Sequence, residues 1–181
     1  MKSLISRITF PVLVVAMLLG LPFRSQAAYD MFLSFTGITG SATNGQIAIN
    51  SLQWGAGRGI SSPVGGNRSA TAPSFSEVTI TKIMDSASPY LALQTANGPG
   101  TATCILTIKD HNTGNALYTL TLKNVFVSGY SVSTGGDVPT ESLSLNYTQI
   151  TWIYQALDSS GNPLGKASPT MGWDLAKQLP F

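Results

Sequence analysis

The chain has 181 residues, 43% of them hydrophobic and only 10% charged, with 18 glycines, 10 prolines and a single cysteine. Low charge with ample apolar content excludes a disordered chain, and glycine without a three-residue period excludes collagen. The length fits one turn-rich globular domain, with a core of useful size and a tail.

The first 27 residues read as a leader. Met1–Arg7 carries Lys2 and Arg7, Ile8–Leu19 is apolar, and Ser25-Gln26-Ala27 places small residues at the −3 and −1 positions. That order is the build of a secretory signal peptide, cleaved between Ala27 and Ala28. A membrane anchor is the lesser reading, because Pro11 interrupts the run and a spanning helix needs roughly 20 apolar residues. No later stretch is long and apolar enough to span, and the signal peptide makes the mature form expected to be exported, periplasmic or extracellular.

Processing changes the charge. Losing Lys2, Arg7 and Arg24 takes the basic residues from ten to seven against eight acidic ones, so the net charge moves from +2 to −1. A nearly neutral chain without a basic stripe is not built to neutralise phosphates, and no nucleic-acid partner is expected.

Period-two alternation dominates the chain beyond the leader. Tyr29, Met31, Leu33 and Phe35 mark a first strand. Ile47 and Ile49 begin a second whose apolar phase then shifts to Leu52 and Trp54, as a bulge or barrel corner would require. Gly55–Ala72, with five glycines and Pro63, reads as a long irregular loop, and loops of that length are usually functional or mobile. Val78, Ile80 and Met84 mark a third strand. Ser88-Pro89 through Asn97-Gly98 has the grammar of a short helix: Ser88 as cap, Pro89 at the first helical position, Gly98 as a left-handed stop.

Ala102–Lys109 and Ala116–Val127 form a hairpin around Asp110–Asn115. Cys104 sits in phase with Ala102, Leu106 and Ile108, which makes it a buried small hydrophobe, and one cysteine permits no internal disulfide. Leu143, Leu145 and Tyr147 mark another strand, and Ile150, Trp152, Tyr154 and Ala156 the last. The tail, 158–181, holds three prolines and an apolar tuck at Met171–Leu175. Many strands with one short helix predict a mainly β fold, a barrel or sandwich carrying a helix on its side.

The residues offer little chemistry. His111 is the single histidine, placed at a loop tip between Asp110 and Asn112, where solvation is the ordinary state of a histidine. One His and one Cys are too few for the usual zinc sets. The eight carboxylates of residues 28–181 are scattered, so an acid pair would need tertiary accident. Gly55-Ala56-Gly57-Arg58-Gly59 lacks the lysine and spacing of a phosphate loop. Asn67-Arg68-Ser69 and Asn146-Tyr147-Thr148 match the glycosylation acceptor pattern and carry little weight. Lys123, Asp137 and Glu141 are better suited to contacts than to catalysis. No catalytic residue, cofactor or metal is expected.

One segment is far more specific. Gly135-Gly136-Asp137-Val138-Pro139-Thr140-Glu141-Ser142-Leu143-Ser144-Leu145-Asn146-Tyr147, with Ile150-Thr151-Trp152-Ile153-Tyr154 behind it, resembles the haemolysin-coregulated protein family, Hcp, the tube protein of type VI secretion. Asp30–Leu33 with Gly37–Gly40, Ser51–Gly55, Ser74–Lys82 with Asp85–Leu91, and Gly172–Leu175 fall in the family's order. The motif residues are Pro139, Glu141, Leu143, Leu145, Asn146, Tyr147 and Trp152.

The resemblance implies a small β-barrel of two sheets with a flanking helix, over a single domain at 28–181. It also implies a homohexameric ring, stacked rings, and small effector proteins carried in the lumen. It places the loop with Arg58, Pro63 and Arg68 between stacked rings. The residues taken alone admit two other classes: an exported monomeric binding module using Gly55–Ala72, and a hydrolase using His111.

Overall fold

The computed structural model describes residues 28–62 and 64–181; the expected signal peptide, with Ala27 of its cleavage site, and Pro63 lie outside the described residues. The first half of the chain forms β1 (Tyr29–Phe35), β2 (Ile47–Ile49), β3 (Ser51–Gln53), β4 (Ala56–Gly57), β5 (Ile60–Ser61), β6 (Ser69–Ala70), β7 (Ser74–Phe75) and β8 (Val78–Ile83). Helix α1 (Ser88–Asn97) comes next. Then come β9 (Ala102–Asp110), β10 (Ala116–Ser133), β11 (Thr140–Asn146), β12 (Gln149–Tyr154), β13 (Met171–Asp174) and β14 (Leu179–Pro180). The fold is mainly β, with one α-helix among the described residues, as the alternation predicts.

Two segments pass from one sheet to the other and wrap both around a single core. The first is the bend signalled by the apolar phase shift. β2 pairs with β1, with Ile49 opposite Met31, while β3 pairs with β8, with Leu52 opposite Ile80. Between them the Asn50 N–H donates to the Thr81 carbonyl at 2.7 Å. The second is β10, whose first half pairs with β9 and β12 and whose second half pairs with β11. At its corner Asn124 adopts a positive φ of 54°, and its side-chain amide donates to Thr148 Oγ1 at 2.7 Å. The ladder therefore runs β1-β9-β10-β11-β8-β3 and returns through β2 to β1, the circuit of a small barrel.

The alternating apolar positions fill its interior. Leu33, Ile47, Val78, Ile80, Leu91, Cys104, Leu120, Leu122, Leu143, Leu145 and Ile150 are all fully buried. Each such Leu, Ile or Val contributes roughly 1.5–3 kcal/mol relative to an exposed side chain.

Four local expectations are corrected. Met84 lies just beyond β8 and is exposed; the inward position after Ile80 is Lys82. Ser88 does not cap α1: its hydroxyl accepts hydrogen bonds from the Asp85 N–H and from Lys82 Nζ instead. Gly98 is not left-handed (φ −59°); glycine is required there because a Cβ would stand 2.5 Å from the Gln94 carbonyl oxygen. The tail does more than tuck, since β13 extends the sheet along β12 by backbone pairing, with Trp173 opposite Ile150.

Candidate functional site

The Gly55–Ala72 segment is no irregular loop. It belongs to a two-stranded arm in which β4 pairs with β7 and β5 with β6, so that Ala56 faces Phe75 and Ile60 faces Ala70. Glycine and small polar residues let the ribbon form without an apolar face, because backbone pairing asks nothing of the side chains. Every described residue from 55 to 72 is exposed, Arg58 and Arg68 included, and Arg68 Nε donates to Ser62 Oγ at 3.0 Å.

The base of the arm is held by aromatic rings. Trp54 lies against Trp152 of β12 with centroids 5.7 Å apart, and Phe75 of β7 stacks on Trp173 of β13 at 6.1 Å. The Tyr147 hydroxyl donates to the Ser76 carbonyl at 2.9 Å, and burial pushes that phenol up to about 12.

Inside the barrel lies a polar cluster. Lys82 is fully buried, with Nζ 2.7 Å from Glu141 Oε2, 2.8 Å from Asp85 Oδ1 and 3.1 Å from Ser88 Oγ. The Tyr130 hydroxyl donates to Glu141 Oε1 at 2.7 Å. Burial alone would raise the Glu141 carboxyl, but the bonds from Lys82, Ser88 and Tyr130 outweigh it and hold it below the usual range. Asp85 obeys the same logic, with burial opposed by Lys82 and by the Ser41 and Ala87 amides. Burial and the facing Glu141 push the Tyr130 phenol up to about 12. Both carboxylates are committed to one ammonium, so neither stands ready as a general base. The cluster fastens β8, β10 and β11 to the start of α1. Glu141, expected as a contact residue, is 2% exposed and faces inward.

Other motif residues also make contacts within the chain. Leu143 and Leu145 are core, the Pro139 carbonyl accepts the Met84 N–H at 3.0 Å, and Asn146 donates to Glu77 Oε1 at 3.0 Å. Lys123 and Asp137 are exposed. His111 is not simply solvated: its Nδ1 lies 2.9 Å from Asp30 Oδ2, and its backbone N–H donates to the Ala28 carbonyl at 3.1 Å. Ala28, on the far side of the expected cleavage site, is thereby tied to the end of β9. Cys104 is buried, and burial pushes its thiol far up, which keeps it inert. Among the described residues no group of three His, Cys, Asp or Glu is placed to hold a metal, and no helix is long and apolar enough to cross a membrane.

The sequence reading missed Lys82, Asp85 and Tyr130 as one unit. The available signal was Lys82 itself, which occupies the inward phase set by Val78 and Ile80.

The site therefore consists of a two-sheet barrel whose buried charges satisfy one another, with a side helix and an exposed backbone ribbon. The sequence profile described as "Type VI secretion system effector, Hcp" matches residues 32–154. No curated protein sequence matches the chain. Among solved structures, a type six secretion system protein is similar over 85% of this chain and 100% of its own, at 26% identity and a TM-score of 0.78. Hcp1 from Salmonella typhimurium matches over 86% and 100%, at 21% identity and 0.68. A type VI secretion system effector from Yersinia pestis matches over 80% and 99%, at 16% identity and 0.60. The chain belongs to the Hcp family of type VI secretion proteins.

Proposed function

We propose that the chain is a ring-forming structural subunit, exported after removal of residues 1–27, without catalytic activity of its own. Six copies close into a ring, and rings stack into a tube whose lumen carries small effector proteins. The observation that carries this reading is the family match across 32–154, on a barrel whose arm is exposed at every described residue from 55 to 72. A closed ring of identical subunits uses two different faces of each copy, which leaves the arm available for contacts between rings. Arg58 and Arg68 lie on that arm and contact the neighbouring ring, with Pro63 expected beside them from the sequence.

The test is the native mass of the protein beginning at Ala28, by light scattering over a range of concentrations. A sixfold mass is expected. Monomer at every concentration would overturn the ring and leave an exported monomeric binding module.

A further inference from the structure

We infer that Trp173 is a positioning residue for the arm: strand β13, near the end of the chain, sets the arm's direction through the ring contact with Phe75. This rests on the reading that the arm contacts a neighbouring ring, although its local part can be tested on a single subunit.

The described residues from 55 to 72 are all exposed, so none of them is buried against the barrel to aim the ribbon. Its direction is decided where it leaves the body. There, Gly55 and Ser76 are bonded to each other, the Gly55 N–H to Ser76 Oγ at 2.8 Å and the Ser76 N–H to the Gly55 carbonyl at 2.9 Å. Those bonds close the ribbon without aiming it. Aim comes from the two ring pairs, one for each strand of the base. Trp54 on the outgoing strand meets Trp152, and Phe75 on the returning strand meets Trp173. The first partner sits in the middle of a well-paired sheet. The second stands on β13, paired on one side with β12 and on the other only with the two-residue β14. The tail thus supplies the half of the grip that is less supported by strand pairing.

Trp173 also carries an unusual feature. Its indole N–H is buried and has no hydrogen-bond partner among the described residues. A buried donor without an acceptor is a liability, so no hydrogen bond explains why this side chain is here. The ring face against Phe75 does explain it, since offset-stacked rings hold both distance and orientation. A phenylalanine at 173 would keep a ring face and remove the orphan donor.

The experiment compares Trp173→Ala and Trp173→Phe with the natural sequence, all beginning at Ala28. Three readouts are used: native mass, stacking seen by electron microscopy, and hydrogen exchange of the Thr71 and Ser76 amides against the β9–β10 ladder. Trp173→Ala should exchange the arm amides about tenfold faster, the loss of one stacked pair, with the ladder unchanged. Its rings should persist and fail to stack, and Trp173→Phe should behave as the natural protein. Arm exchange unchanged in Trp173→Ala, or Trp173→Phe failing like Ala, would overturn the inference. Should Trp173→Ala not fold, Phe75→Ala removes the other half of the pair, and its exchange decides the question by the same criterion. If the natural protein forms no rings, the proposed function fails, while the exchange comparison still decides the role of Trp173.

Discussion

Lys82 Nζ lies 2.7 Å from Glu141 Oε2 across the β8–β11 ladder, and neither side chain reaches solvent. The two residues stand opposite each other in register, so strand pairing itself brings the charges together. Asp85, three residues on, and Tyr130 from β10 complete the set. An ammonium and two carboxylates at this depth are stable only because each has partners, and removing one member strands the rest.

Lys82→Ala should therefore lower stability by about 3–5 kcal/mol, the range for breaking a buried pair. Chemical denaturation followed by tryptophan fluorescence measures it. The double variant Lys82→Met with Glu141→Leu should recover part of the loss, because apolar groups of similar volume strand no charge at 141. A Lys82→Ala protein as stable as the natural one would show that the pair contributes nothing.

The cluster also makes the fold acid-sensitive. Glu141 and Asp85 are held below their ordinary values of 4.5 and 3.8 in the folded chain. A depressed carboxylate contributes stability that is complete above the ordinary value and is lost as pH falls through the lowered one. Stability should thus be flat from neutral pH down to about 5 and decline below it. Glu141→Gln should be less stable at neutral pH and show a shallower acid decline. A decline as steep as the natural protein's would assign the acid sensitivity to other carboxylates.

Cys104 should resist thiol reagents while the barrel is folded. Its side chain is buried on β9, which lies between β1 and β10, and burial disfavours the thiolate. Labelling with a colorimetric disulfide reagent should give no reaction under native conditions and one thiol per chain in denaturant. Fast native labelling would mean that β9 opens readily.

Stacking should be weak and sensitive to salt. Arg58 and Arg68, the two arginines of residues 28–181, are both exposed on the arm, and an exposed pair is worth about 0–1 kcal/mol. Replacing Gly57–Gly66 with a short Gly-Ser linker should leave single rings that no longer stack, as should raising the ionic strength. Rings that come apart in the linker variant would place the arm in the contact between neighbours within a ring.

Export should expose Ala28 as the N-terminus. N-terminal sequencing of the exported form checks this, and a retained Met1 would mean an anchor or no processing.

Much of this molecule is written in local pattern. The alternation at Leu33, Ile80, Leu106, Leu143 and Leu145 names the buried face of each strand, because a pleated strand sends successive side chains to opposite sides. The phase shift between Ile49 and Leu52 marks the corner where the chain changes sheets. The Pro139–Tyr147 motif carries the family.

Local pattern says which face a residue takes, and it cannot say which distant residue it meets. Lys82 is inward by phase, yet only the β8–β11 register supplies Glu141, 59 positions away, and makes that burial tolerable. Gly55–Ala72 looks shapeless as sequence because a ribbon held by backbone bonds needs no apolar rhythm. At its base, Trp54 on Trp152 and Phe75 on Trp173 join side chains whose spacing along the chain carries no signal. Periodicity is a property of one strand, whereas partnership is a property of how strands are brought together.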